Sequence, residues 1–97
     1  MRIEVSDEAA AFASANGGTV WVWARRPPMC CNGTPAGMRA SVAAPADQSG
    51  FVQVAGNGVD VRFRAPGGRC PEVLEIGMHG RRRPRVEAYW DGCLIVL

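Results

Sequence analysis

Hydrophobic and polar positions change their spacing once along this chain, and early. After Val5, Ser6 stands where an N-cap side chain accepts from a backbone N–H, Asp7 and Glu8 fall at the positive end of a helix dipole, and Ala9, Phe12 and Ala13 recur at helical spacing. Asn16-Gly17-Gly18 ends this helix. From Thr19 onward the period is two. Over residues 19–24, Val20 and Val22 face one side and Trp21 and Trp23 the other, which predicts an interior strand. From Arg25 through Gly37 the chain has three prolines, two glycines and the adjacent pair Cys30-Cys31, a composition that predicts a loop leaving that strand. A weaker strand is expected over 39–44. Residues 51–55 and 59–64 flank Gly56-Asn57-Gly58 and read as a hairpin, with Val52, Val54, Val59, Val61 and Phe63 on its core face. Residues 73–78 alternate with Leu74, Ile76 and Met78 inward. A second hairpin runs over 85–90, turns at Asp91-Gly92, and would set Trp90 opposite Cys93, Ala88 opposite Ile95 and Val86 opposite Leu97. A tail Leu94-Ile95-Val96-Leu97 in that register is buried on both sides and tied into a sheet. The fold class expected is mainly β (α+β) with one N-terminal helix.

Composition narrows the setting. With 97 residues, 47% hydrophobic and 21% charged, the chain has material for one core and one domain over 1–97, and disorder is excluded. Eleven basic residues, all arginine, against nine carboxylates leave a net charge of +2, too small to point to a polyanion. Nothing approaches the ~18 apolar residues of a membrane span, and the first residues lack a signal-peptide pattern, so a cytoplasmic protein without a membrane role is expected. The segment His79-Gly80-Arg81-Arg82-Arg83-Pro84 is a basic turn that could grip phosphate or an acidic partner. With no exposed aromatics interleaved there, nucleic-acid binding is not expected. A single histidine and no phosphate-cradling glycine loop leave hydrolase and nucleotide-binding chemistry without support.

In a reducing compartment four cysteines read as thiols or metal ligands. Neighbouring Cα atoms lie about 3.8 Å apart, short of the relaxed span of roughly 4.4–6.8 Å, so a Cys30–Cys31 disulfide would be strained and easily reduced. Arg25 and Arg26 just upstream could favour the thiolate. This makes Cys30 and Cys31 the candidate catalytic pair. Cys30, Cys31 and Cys70 are the candidate metal ligands, with His79 a fourth only if the fold gathers the three segments. Cys70 falls in the turn Gly67-Gly68-Arg69-Cys70-Pro71, as a third ligand, a resolving thiol or a plain turn residue. Cys93, beside Trp90 on an apolar face, is expected in the core.

The opening Ile3-Glu4-Val5-Ser6-Asp7-Glu8-Ala9-Ala10, the Gly17-Gly18 break before an apolar strand, and Cys30-Cys31-Asn32-Gly33 together resemble the HesB/IscA family of small iron–sulfur proteins. The closer resemblance is to its divergent branch with a Cys-Cys motif, in some members of which selenocysteine replaces the second cysteine. The resemblance implies a HesB-like β-sandwich with one N-terminal helix, a single HesB-like domain over 1–97, and Cys31 at the position similar to the selenocysteine. It implies cysteine redox or thiolate metal binding at the adjacent pair. The alternatives it leaves open are an iron–sulfur cluster or iron carrier acting as a dimer, with a soft metal ion or cluster as cofactor, and a non-catalytic interaction domain. A homo-oligomer and a redox or iron–sulfur assembly partner protein are the partners it suggests, and whether the chain is an enzyme stays open. The C-terminal Cys-Gly-Cys pair of iron–sulfur members has no counterpart beyond Asp91-Gly92-Cys93, so only the first family cysteine carries over, at Cys30 or Cys31.

Overall fold

The structure, a computed structural model, describes residues 1–25, 37–55 and 58–96. The chain runs β1 (Arg2–Val5), α1 (Asp7–Ala15), β2 (Thr19–Arg25), β3 (Gly37–Ser41), β4 (Val52–Ala55), β5 (Asp60–Arg64), a single 3-10 turn at Pro66–Gly68, β6 (Val73–His79) and β7 (Arg85–Trp90). It is mainly β, with one short helix and two sheets, ordered β1-β6-β7 and β3-β2-β5-β4. Of the two expected hairpins, the first forms as the antiparallel pair β4/β5; β7 instead pairs antiparallel with β6, while β1/β6 and β2/β5 pair in parallel across long stretches of sequence.

The alternation decides what lies between the sheets. Val20, Val22, Met38, Val61 and Phe63 of one sheet meet Leu74, Ile76, Val86, Ala88 and Trp90 of the other, all buried. Removing a fully buried Leu74 side chain would cost about 2–5 kcal/mol. Helix α1 covers this core through Ala9 and Ala13, small enough to bring its backbone close to the sheet and left with no exposed surface. Its first turn is capped as expected: Ser6 Oγ accepts from Ala9 N at 3.1 Å.

Three expectations are corrected. Val52 does not enter the core: it is in register with buried Phe63 but sits at the start of edge strand β4 and stays 63% exposed, while Val54 packs against the core beside an irregularity between Gln53 and Ala55. The third strand begins at Gly37 and ends at Ser41, earlier than 39–44. The tail does not extend the last hairpin. The Asp91-Gly92 turn closes as expected, with Trp90 bridged to Cys93 and both turn residues at positive φ, 48° and 84°. Beyond it Ile95 bridges Gly37 rather than Ala88, and the Leu94 carbonyl accepts from Met38 N at 2.8 Å. The start of β3 offers an unpaired backbone donor that the tail satisfies. Leu94 and Ile95 are therefore exposed rather than buried on both sides, and Cys93 is half-buried, outside the core assigned to it. Leu97 lies outside the described residues.

Candidate thiol site

Cys30 and Cys31 lie outside the described residues, in the connection 26–36; its two anchors are described. Arg25 and Gly37 are direct partners across β2/β3, so the connection leaves and re-enters the sheet at one point. Met38, next along, is held by Leu94 of the tail.

Around these anchors the outer face of the four-stranded sheet is built from strands distant in sequence. Trp23 is in register with Arg39 of β3 on one side and Arg64 of β5 on the other. Arg25, two residues further along β2, shares that face. The Arg64 guanidinium lies 4.7 Å from the centre of the Phe51 ring, donates to the Ser49 carbonyl at 3.4 Å and stands 3.8 Å from Asp47. Hydrogen bonds from the Ser49 hydroxyl and backbone N–H, with a smaller contribution from Arg64, hold the Asp47 carboxyl below its ordinary pKa. Phe51 in turn meets Trp21 and Trp23 edge-on, with centroids 5.1 and 6.1 Å away. Arg62 covers Trp21 at 5.3 Å and pairs with Asp60 at 3.0 Å. Arg25 and Arg39 are exposed and have no ion pair among the described residues.

Cys70 and Cys93 are free thiols at this same end of the fold. Cys70, exposed, follows the 3-10 turn that leaves the end of β5, and Arg69 reaches 5.8 Å from the Trp90 ring. Cys93 follows Trp90 through the Asp91-Gly92 turn. Because β2 and β5 run in parallel, the end of β5 and the end of β2 coincide, and antiparallel β7 stops where β6 begins. The topology therefore brings the anchors of the cysteine connection, Cys70 and Cys93 to one end of the sandwich.

His79 is at the other end. Seven residues of β6 separate its start, beside Cys70, from His79, about 20 Å away. The fourth-ligand role for His79 with Cys70 is thereby overturned. There His79 Nδ1 lies 3.3 Å from Glu87, which also accepts from the Tyr89 hydroxyl at 3.1 Å. Burial, then the Glu87 hydrogen bond and the Glu87 and Glu75 charges, raise the Tyr89 pKa above its ordinary value. Arg81, Arg82 and Arg83 are exposed in the adjoining turn. A shallow cleft of about 270 Å³ beside Gly77 is lined by Glu4, Ser6, Glu75 and Tyr89, and both of its hydroxyls are engaged, Ser6 in capping α1 and Tyr89 in donating to Glu87. Among the described residues no group of three or more His, Cys, Asp or Glu could hold a metal ion.

The arginine-flanked Trp23 is the feature that sequence reasoning missed. Alternation already put Trp21 and Trp23 on one face, and Arg62 and Arg64 outward. Their adjacency depends on β2/β5 pairing across about forty residues, which no local signal carries.

Compared with known proteins, the chain matches a family model described as the CC/Se motif containing family over residues 1–79, a span that includes Cys30-Cys31. No curated protein and no solved structure matches it. No helix among the described residues is long and apolar enough to cross a membrane.

Proposed function

The chain belongs to the CC/Se motif containing family, and on that premise we propose that it is a small cytoplasmic thiol protein whose chemistry is carried by Cys30 and Cys31. The observation that carries this reading is the family match across the adjacent cysteine pair. Two features of the fold support it. The connection bearing the pair is pinned at both ends to one point of a rigid sheet, and Arg25, Arg39 and Arg64 give that point a positive potential that favours thiolates. The reaction is a dithiol–disulfide cycle: one thiolate of the pair is the nucleophile, and closing the pair produces a strained, readily reduced disulfide between neighbours. Cys31 is the attacking residue in this reading and Cys30 its partner.

The finer affiliation, a divergent HesB-like sandwich forming one domain over 1–97, rests on the opening residues and the Cys30-Cys31-Asn32-Gly33 motif. The single-domain part draws support from β7, which lies beyond the family match yet pairs along the length of β6.

A second reading has Cys30, Cys31 and Cys70 supplying thiolates to a soft metal ion or an iron–sulfur cluster, with the remaining ligands from a second copy. The exposure of Cys70 at the same end of the sandwich favours it over a purely structural role for that residue.

Alkylation of the native protein with limiting reagent, read by peptide mass spectrometry, tests the first reading. Cys30 or Cys31 should label first, and mild oxidation should remove two hydrogens from their peptide in a way that a dithiol reverses and Cys31→Ser abolishes. If both thiols resist labelling until the protein unfolds, with no metal present to protect them, the thiol reading fails. Anaerobic purification with absorption spectroscopy and elemental analysis tests the second: stoichiometric metal with visible charge-transfer bands would replace the redox reading by cluster binding.

A further inference from the structure

We propose that the arginine-flanked face around Trp23 docks the reductant of the cysteine pair, and that this reductant is an anionic low-molecular-weight thiol carrying carboxylates. The inference rests on the thiol reading above and adds the chemistry of the partner. Three cations lie on three sides of one half-buried indole: Arg39 and Arg64 in register across the neighbouring strands, and Arg25 two residues along β2. With strands spaced about 4.8 Å apart, Arg39 and Arg64 start from backbone positions roughly 10 Å apart, a span two carboxylates of one small molecule can bridge. Asp47, exposed, is set against Arg64, and Glu87 lines a small groove together with Arg39 and Arg85, yet neither Arg25 nor Arg39 makes an ion pair among the described residues. The other sheet contrasts with this. Its outer face mixes signs, Glu4, Glu75 and Glu87 standing among Arg2 and Arg85, with Arg2 paired to Glu4. Arg25, on this face, pairs with Gly37, and the cysteine pair lies in sequence between these two residues.

The thiolate R–S⁻ attacks one sulfur of the Cys30–Cys31 disulfide, forming a mixed disulfide and breaking the strained bond, while the other cysteine leaves as a thiolate and takes up a proton. A second R–S⁻ attacks the ligand sulfur of the mixed disulfide, forming R–S–S–R and releasing the remaining protein thiolate, which is protonated in turn. Two electrons and two protons pass from two R–SH to the protein. Opposite charge on the face concentrates the attacking anion at the end of β2 from which the cysteine-bearing connection leaves.

The test measures second-order rates for reduction of the oxidised protein by mercaptosuccinate, 2-mercaptoethanol and cysteamine, which are anionic, neutral and cationic. Each is normalised to the rate of the same thiol with hydroxyethyl disulfide, so that differences in thiol reactivity cancel. At low ionic strength the anionic thiol should exceed the neutral one by about tenfold and the cationic thiol should fall below it, with the gaps closing in high salt. Arg39→Glu and, separately, Arg25→Glu should each remove most of the anionic advantage, while Arg82→Glu, at the far end, should leave it in place. Equal normalised rates for the three thiols would overturn the inference while leaving the thiol reading standing. So would a loss in Arg82→Glu as large as that in Arg39→Glu, since net charge alone would then account for it. A protein unreactive toward thiols of every charge would remove both.

Discussion

Asp91 is the one non-glycine residue with positive φ among those described, and it does two jobs in the turn that sends the tail toward β3. At φ 48° it occupies the left-handed region, tolerated by Asp and Asn and unfavourable for alanine by about 1 kcal/mol or more. Its Oδ1 accepts from Val73 N at 2.8 Å, and its own N–H donates to the Val73 carbonyl at 3.0 Å, joining the turn to the start of β6. The side-chain bond is exposed, so its net value is about 1 kcal/mol. A three-variant series separates the two contributions. Asp91→Asn keeps the acceptor and the backbone tolerance and should stay within roughly 0.5–1 kcal/mol of the parent. Asp91→Gly keeps only the tolerance and should lose about 1 kcal/mol. Asp91→Ala loses both, about 2–3 kcal/mol. At roughly 4–8 °C per kcal/mol for a domain of this size, the alanine variant should melt about 10–20 °C lower. Urea and thermal unfolding by circular dichroism read the series directly. If Asp91→Ala is as stable as Asp91→Asn, neither the left-handed backbone nor the Val73 bond matters, and the account of this turn is wrong.

The turn between β6 and β7 offers a second contrast: a Cβ on Gly80 would sit 2.8 Å from the Arg83 carbonyl oxygen, whereas one on Gly18, at a similar positive φ, meets nothing within 4 Å. Gly80→Ala should therefore destabilise by at least about 1 kcal/mol more than Gly18→Ala in denaturant unfolding, and equal losses would show that the turn relaxes freely. The single tyrosine makes Tyr89 a clean probe. Its folded pKa is raised, so the folded state holds the phenolic proton more tightly, and the resulting stability is present below pH 10 and lost as pH rises through the folded value. Absorbance titration should place tyrosinate formation above 10, and Glu87→Gln should lower the midpoint without abolishing the shift, because burial is the leading cause; a midpoint at the ordinary value in the parent protein would refute this. Native-state alkylation should also label exposed Cys70 ahead of half-buried Cys93, and the reverse order would show that the tail opens readily.

Local pattern was enough for the helix with its Ser6 cap, the β4/β5 hairpin, the tight turn at Asp91-Gly92, and the core faces of β2, β5 and β6. Each of these depends on residues within a few positions of one another: a hydroxyl three residues before an N–H, apolar side chains every second position, an Asp-Gly pair whose backbone preferences suit a tight turn. The cysteine pair was legible too, because its chemistry lies in two adjacent residues. Pairings between distant segments were not. The tail had a complementary apolar face on β7 and went to Gly37 and Met38 instead, a competition between strand partners that depends on which backbone groups remain unpaired after the sheets assemble. Val52 keeps its parity opposite Phe63 yet stays exposed, because β4 ends up at the edge of its sheet, a position the alternation does not declare. His79 and Cys70 looked close along the chain, yet a strand is a rigid spacer and β6 holds them at opposite ends. The grouping of Arg25, Arg39 and Arg64 about Trp23 exists only once β3 and β5 flank β2, since cross-strand neighbours are set by pairing energy summed over whole strands and no single residue declares its partner.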